Sequence, residues 1–432
     1  MRKYLYSRAS HYISSFCQYY DKLWHLDRCK WDDGLLYKKI RVKEKTTVSL
    51  ADFPQLEEGD RDAILINGNL NYSYDIQTYL EELYKKSSRS TRIVCVLYNY
   101  YLSALFSLAT SMGIRKGPLP KTFITQVDLE NICRLSGYEI CYEKNIVHLP
   151  FSLLGIGTLI NKFLSLIPFV KHFTLLSVAV LRPVKEAQKK SLSILVPARN
   201  EKGNIENAVK RIPEMGVDIE VIYVEGNSSD NTWEEIQRVA QDEQYTKRFK
   251  IKTLQQPGKG KYDAVRTGFA VAENDILIIL DADLTMPPEL LPQFMNAYYS
   301  GKGDFINGSR LVYPMEGEAM RFLNLLGNKF FAKALSILLD FKLSDSLCGT
   351  KILSRRDWLR LVEWRKNFGD YDPFGDFDLL FAAAELKMGI INVPIRYLDR
   401  EYGSPQISRF RDGAILLKMT LIALFKIKLK NI

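Results

Sequence analysis

The stretch "ILIILDADLTMPPE", residues 276–289, runs five apolar residues straight into two carboxylates, Asp281 and Asp283. An apolar run without alternation suits a strand buried on both faces, the situation of a parallel sheet covered by helices. The C-terminal ends of such strands are where open α/β sheets bind their ligands. Two carboxylates one residue apart repel each other, and a divalent cation held between them relieves that repulsion. An acidic turn closing a strand would look the same in isolation, so the neighbouring loops have to decide.

Three further loops repeat the arrangement of strand, then small or polar residues, then helix. "VPARNEKGNIE" (196–206) sets Pro197 at a strand end and offers Asn200 and Glu201 near a helix start. "VEGNSSDNTWEE" (224–235) brings Glu225 and Asp230, with Ser229, Asp230 or Asn231 available to cap the next helix. "QQPGKGKYDAV" (255–265) combines glycines that let backbone approach closely with the cations Lys259 and Lys261. In a parallel sheet all four loops gather on one rim. Carboxylates and amides suit a base and a ribose there, while lysines and a carboxylate-held Mg²⁺ or Mn²⁺ suit a diphosphate.

The chain has 432 residues, 47% hydrophobic and 25% charged, which is globular and long enough for two domains. A formal charge of +10 favours phosphate-bearing or anionic-membrane partners over nucleic acid, because the basic residues form no aromatic-interleaved patch. Six cysteines without C-x-x-C or metal spacing fit a reducing compartment, and no secretory signal opens the chain, so a cytoplasmic location is expected. "FSLLGIGTLINKFLSLIPFVKHFTLLSVAVL" (151–181) is broken by Lys162, Pro168, Lys171 and His172 and reads as a buried helix followed by a strand, with membrane contact the lesser option.

A polar, basic linker, residues 182–190, separates two halves that both alternate strand and helix. The expected organisation is a domain over 1–181, the linker, a second α/β domain over 191–413 with a mostly parallel sheet, and a basic amphipathic helix over 414–432. Within the first half, "TQVDLENICRLSGYEICYE" predicts a helix, a stop at Gly137 and a strand.

Residues 191–413 resemble a family 2 glycosyltransferase of the GT-A fold, and within it the polyprenyl-phosphate (dolichyl-phosphate) sugar synthases. The matching stretches are "SILVPARNE", "VIYVEGNSSDNT", "PGKGKYDAVRTGF", "LDADLTMPPE", "NGSR", "SDSLCGTKILSR", "FGDFDL" and "VPIRYLDREYGSPQISRFRDG". The resemblance implies a nucleotide-diphosphate-sugar donor, UDP- or GDP-linked. It implies that Pro197, Asn200, Glu201 and Glu225 surround the nucleotide, that Asp281 and Asp283 reach donor and metal, and that Asp345 is a catalytic group on the acceptor side. Arg400, with Ser404 and Arg409, falls where the family gathers acceptor phosphate. Glu225-Gly226 stands where relatives commonly have two aspartates, and Thr285 where they often have glutamine.

All four histidines precede the linker, leaving only Asp or Glu as a general base for a hydroxyl acceptor. A lipid phosphate is already anionic and needs none, which favours a polyprenyl-phosphate acceptor over a glycan or lipid hydroxyl. "FRDGAILLKMTLIALFKIKLKNI" (410–432) combines apolar residues with five cations; it reads either as a helix in a membrane interface, which makes the protein peripheral at the inner face, or as a helix packed on its own domain with a basic exposed edge.

Residues 62–181 resemble the later half of a class I S-adenosylmethionine methyltransferase. "RDAILINGNLNYSYDIQTYLEELYKKSSRSTRIVCVLYN" matches its middle strands and "TFITQVDLENICRLSGYEICYEKNIVHLP" its last helix and hairpin. Residues 1–61 contain no G-x-G turn, so the resemblance implies a truncated Rossmann-like domain without methyl-transfer activity. A non-catalytic scaffold built from two decayed enzyme domains is the alternative from outside the enzyme class.

Overall fold

The computed structural model describes residues 2–30, 32–115, 117–165, 167, 169–314, 322–403 and 409–429, without the side chains of 153, 322–324 and 409–410. The chain forms two compact units, one of Met1–Lys185 with Glu385–Lys387 and Ile427–Ile432, the other of Glu186–Ala384 with Met388–Lys426.

The first unit has six strands: β1 (Lys22–Leu26), β2 (Glu44–Val48), β3 (Asp62–Asn67), β4 (Arg92–Tyr98), β5 (Tyr138–Ile146) and β6 (Leu176–Pro183). They are ordered β2-β1-β3-β4-β6-β5, the first four parallel and the last two antiparallel. β3 and the first six residues of β4 are buried, as their unbroken apolar runs require. The helix Gln126–Leu135 is capped by Thr125 and ends before Gly137, whose φ of 81° is a conformation that glycine adopts freely. Beyond the end of β1, Asp32 accepts from the backbone of Gly34 and from Asn67 Nδ2 at 2.9 Å, so polar side chains of the unit itself fill this strand end.

Two expectations fail in this unit. β6 continues through Arg182 and Pro183, which the sequence assigns to the linker. Arg182 sits opposite Glu139 on β5 and forms an ion pair with it, so a charge that reads as linker is neutralised across the sheet. The helix expected to be buried within 151–181 is Ile156–Leu164, and its large apolar side chains Ile156, Leu159 and Phe163 are exposed while Asn161 is buried.

The second unit carries seven strands: β7 (Leu192–Ala198), β8 (Ile219–Glu225), β9 (Lys250–Gln255), β10 (Ile276–Ile279), β11 (Phe305–Ser309), β12 (Lys351–Ser354) and β13 (Ile390–Pro394). Their order is β13-β11-β12-β10-β7-β8-β9, and only β12 runs antiparallel to its neighbours. β10 is buried along its length between β7 and β12, as its apolar run predicts. Its short pairing with β7 ends at Leu195, so beyond that point β7 has β8 alone as partner. Pro197 therefore lies inside β7 rather than ending it, on a stretch where a missing N–H costs no ladder bond to β10.

The C-terminal helix starts at Arg409, five residues before the expected boundary, runs to Ala423 and continues as a π turn over Leu424–Lys428. Leu416, Met419, Ala423 and Ile427 form its buried stripe, and Lys426 donates to the carbonyl of Phe368 at 2.6 Å. The helix Phe322–Leu339 packs alongside it.

Candidate active site

The four loops meet at the C-terminal ends of β7, β8, β9 and β10. Asp281 follows β10 directly and pairs with Lys261 Nζ at 2.7 Å. Lys261 opens the helix Lys261–Val271, which Gly260 introduces at a φ of 84°. Burial pulls the Asp281 carboxyl upward, but Lys261, with Lys351 and Arg310 behind it, outweighs burial and holds the group below the ordinary carboxylate range. The same pairing holds the Lys261 ammonium above its usual range against the opposing pull of burial. Lys259, expected beside it, is exposed and stands outside this cluster.

Asp283 is engaged on both oxygens. Oδ1 accepts from Thr285 N and Oγ1, at 3.1 and 2.8 Å, and Oδ2 accepts from Arg400 Nη2 at 2.5 Å. Arg400 also reaches Glu201 Oε1 at 3.4 Å, so the guanidinium that the family resemblance assigns to acceptor phosphate lies between two donor-side carboxylates. The bond from Leu398 N to Thr285 O fixes this segment over the β10 tip. Ser404 lies outside the described residues, as does the side chain of Arg409.

Glu201 is buried beneath the same segment and accepts from Asn204 Nδ2 at 2.7 Å. Burial pushes its carboxyl up to about 7; Asp283 and Asp230 add to the rise, and Asn204 and Arg400 oppose it. A carboxyl whose folded value is raised stabilises the fold fully below its unfolded value near 4.5 and loses that contribution as pH climbs through about 7. Glu201→Gln is therefore expected to remove a stability loss of roughly 1–3 kcal/mol between pH 5 and pH 8. Melting curves taken across that range check it.

Glu225, at the end of β8, is buried and accepts from Ser228 N at 2.5 Å. Asn200, in the left-handed region at a φ of 55°, accepts from Ser229 N at 2.8 Å, while its own N–H bonds Ser228 Oγ at 3.0 Å. The amide expected at the nucleotide thus joins the loops after β7 and β8. Asp230 does the capping, accepting from Thr232 N at 3.1 Å at the start of the helix Thr232–Gln241.

Asp345 calls for a correction. Expected as a catalytic carboxylate, it is fully buried and bidentate to Arg310, with Nε at 2.7 Å and Nη2 at 2.9 Å. The backbone N–H groups of Arg310 and Leu347 take its remaining acceptor positions at 3.0 and 2.9 Å. Burial raises the carboxyl, yet these partners prevail and hold it low. All the partners Asp345 shows on its carboxylate are thus Arg310 and the backbone around it.

Sequence reasoning missed Lys351, Asp376 and Gly349. Lys351 is fully buried and donates to Asn307 Oδ1 at 3.0 Å, and both it and Lys261 stand 3.8 Å from Asp376 Oδ1. "SDSLCGTKILSR" and "FGDFDL" were the available signals, but nothing local in them indicates which residues turn inward. A Cβ on Gly349 would stand 2.0 Å from Asp281 Oδ2 and 2.2 Å from Lys261 Nζ, so only glycine admits the pair. Gly349→Ala is expected to push Asp281 aside and cost about 10²-fold in transfer, measured as initial rate at saturating donor.

Among the described residues no group of three or more His, Cys, Asp and Glu could hold a metal ion. The chemistry here is instead a pair of hard-oxygen donors, Asp281 and Asp283, on one strand tip. That suits Mg²⁺ or Mn²⁺, which takes one or two carboxylates and completes its shell with phosphate and water.

The second unit thus carries paired carboxylates at one strand tip of its α/β sheet, facing a glycine–lysine turn. The family model Glycosyl transferase family 2 matches residues 193–361. The dolichol-phosphate mannosyltransferase of Pyrococcus furiosus is 33% identical over 141 residues, 32% of this chain and 38% of that one. The dolichyl-phosphate hexose transferase of Haloferax volcanii is 29% identical over 199 residues, covering 46% and 78%. The undecaprenyl-phosphate 4-deoxy-4-formamido-L-arabinose transferase of Pectobacterium carotovorum is 31% identical over 223 residues, covering 51% and 63%. The chain thus spans well under half of the Pyrococcus relative and more than three quarters of the Haloferax one. Among solved structures, glucosyl-3-phosphoglycerate synthase from Mycobacterium tuberculosis, with Mn²⁺, UDP and glucosyl-3-phosphoglycerate, aligns at 17% identity and a TM-score of 0.39, covering 55% of this chain and 80% of that one.

Proposed function

We propose that the chain transfers a sugar from a UDP- or GDP-linked donor to polyprenyl phosphate at a membrane surface, inverting the anomeric centre. The observation that carries this reading is the Asp281–Asp283 pair on the β10 tip, set against Lys261 and overlain by Arg400. Asp281 and Asp283 would hold Mg²⁺ or Mn²⁺, which when bound supplies positive charge to the diphosphate leaving group. Glu201 and Glu225, at the adjoining strand ends, line the nucleoside side with Pro197 and Asn200. Lys261 orients Asp281 and adds charge beside the donor phosphates. Arg400 extends over the strand tip, where it can exchange a carboxylate partner for the acceptor phosphate.

The acceptor follows from charge. A phosphate-monoester oxygen is anionic at neutral pH and attacks the anomeric carbon without surrendering a proton, forming the new C–O bond as the donor's C–O bond breaks and the nucleoside diphosphate departs. An apolar exterior on the same unit favours a lipid: Leu417, Leu421 and Phe425 on the C-terminal helix and Leu326, Phe330 and Ile337 on its neighbour Phe322–Leu339 are all exposed. Among the described residues no helix is long and apolar enough to cross a membrane, so this pair of helices supports contact from the interface.

Incubation with labelled UDP- and GDP-sugars, Mn²⁺ and polyprenyl phosphate tests the reading. A labelled lipid released by mild acid is expected. An acid-stable product would move the acceptor to a hydroxyl, and failure to bind either nucleotide with Mn²⁺ would leave the scaffold alternative.

A further inference from the structure

The first unit carries an apolar surface that the transferase reading does not use. In the helix Ile156–Leu164 the usual sidedness is reversed. Asn161 faces inward, where its Oδ1 accepts from the N–H groups of His148 and Leu149 at 2.8 and 2.9 Å and its Nδ2 donates to Leu149 O at 2.9 Å. Thr158 also faces inward, 3.0 Å from Tyr4 Oη. Ile156, Leu159 and Phe163, at i, i+3 and i+7, face solvent, the last two 68% and 66% exposed. A second helix, Ser103–Ser111, repeats the spacing: Phe106 is buried, whereas Leu105, Leu108 and the following Met112 are exposed, Leu108 by 56% and Met112 by 64%.

An aromatic seam joins the start of the second helix to the 169–173 loop. Tyr101, just before the second helix, sets its ring 5.4 Å from that of Phe173 in a tilted contact, and Phe173 lies 5.5 Å from the 74%-exposed Phe169. Asn99 Nδ2 bonds His172 O at 2.7 Å, and His148, held by Asn161, approaches Val170 O at 3.1 Å. The 169–173 loop is thereby tied to the approach of Ser103–Ser111 and, through His148, to Asn161 of the other helix. Soluble monomers seldom expose apolar residues grouped in this way.

Charge selects the occupant. Residues 99–127 contain Arg115, Lys116 and Lys121 and no acid, and residues 145–181 contain Lys162 and Lys171 and again no acid. A protein partner of mixed charge would gain little from a surface of one sign, whereas an anionic bilayer offers apolar depth beneath a negative plane. We infer that the exposed faces of Ser103–Ser111 and Ile156–Leu164, with the 169–173 loop, insert into the interface of an anionic lipid bilayer. This makes the first unit a membrane anchor in its own right, and the inference does not rest on the transferase reading.

The full chain, sedimented with phosphatidylcholine vesicles containing phosphatidylglycerol, is expected to bind them and to bind pure phosphatidylcholine vesicles far less. Leu108→Glu with Phe163→Glu, both on exposed positions, is expected to weaken anionic-vesicle binding about tenfold or more while the melting temperature holds. Lys121→Glu with Lys171→Glu should weaken it in a salt-dependent way. Unchanged vesicle binding in the apolar double variant would overturn the proposal. So would a native dimer, seen by sedimentation velocity, that the same variant dissociates while vesicle binding persists. Donor binding by calorimetry should not differ between the native and variant chains.

Discussion

Asp283→Ala is expected to reduce sugar transfer by about 10³-fold or more while leaving the fold intact. The side chain does two things at once. It supplies one of two carboxylates at the β10 tip, and it anchors Arg400, whose other partner is Glu201 at 3.4 Å. Alanine removes the oxygen donor and leaves the guanidinium one carboxylate short, so both donor and acceptor sides lose their reference point. The cost to folding should be small, because Asp283 follows the strand rather than filling its core and Arg400 is itself partly exposed. Initial rates with labelled nucleotide-sugar and Mn²⁺, alongside circular dichroism of the same preparation, separate the two quantities. A variant with full activity would sink the metal and donor assignment. Loss of secondary structure would instead mean that the Arg400 clasp holds the fold.

The features legible in the sequence are those written locally. "ILIIL" determines a strand buried on both faces, and the structure places it between β7 and β12 with every residue of β10 inaccessible. The loops after β7, β8 and β9 could be found because each lies within a few residues of its own strand, but Lys259 and Lys261 each follow a glycine and nothing local says which of them meets Asp281. Contacts that join distant positions were not legible. Arg400 meets Asp283 across 117 residues, and Arg310 meets Asp345 across 35. No spacing rule connects such pairs; they exist because β11 and the segment before β12 are brought side by side. Burial also changes a residue's part. Lys351 reads as an ordinary polar residue near a motif and Asp345 as a catalytic one, but once the sheet closes each must find partners, since an unpaired buried charge costs several kcal/mol. The inverted helix Ile156–Leu164 shows the limit of periodicity, which identifies an apolar stripe without saying which way it faces.

Asp345→Ala is expected to act on stability first. The substitution leaves the Arg310 guanidinium, 11% exposed, without its bidentate partner and orphans the N–H groups of Arg310 and Leu347. Breaking a buried pair from one side costs about 3–5 kcal/mol, which for a unit of this size lowers the melting temperature by roughly 6–20 °C. Activity should fall with it, because Arg310 contributes to the positive surroundings that keep Asp281 ionised. A general base behaves differently. Its removal would spare the melting temperature, abolish transfer at every temperature and flatten the acid limb of the pH–rate profile. The structure predicts the reverse: a lowered melting temperature, an unaltered acid limb and measurable transfer well below the transition. Asp345→Asn should fall between, since its amide oxygen can still accept from Arg310 while its NH₂ faces a donor. Differential scanning calorimetry paired with pH–rate profiles of the three chains decides between a positioning carboxylate and a reacting one.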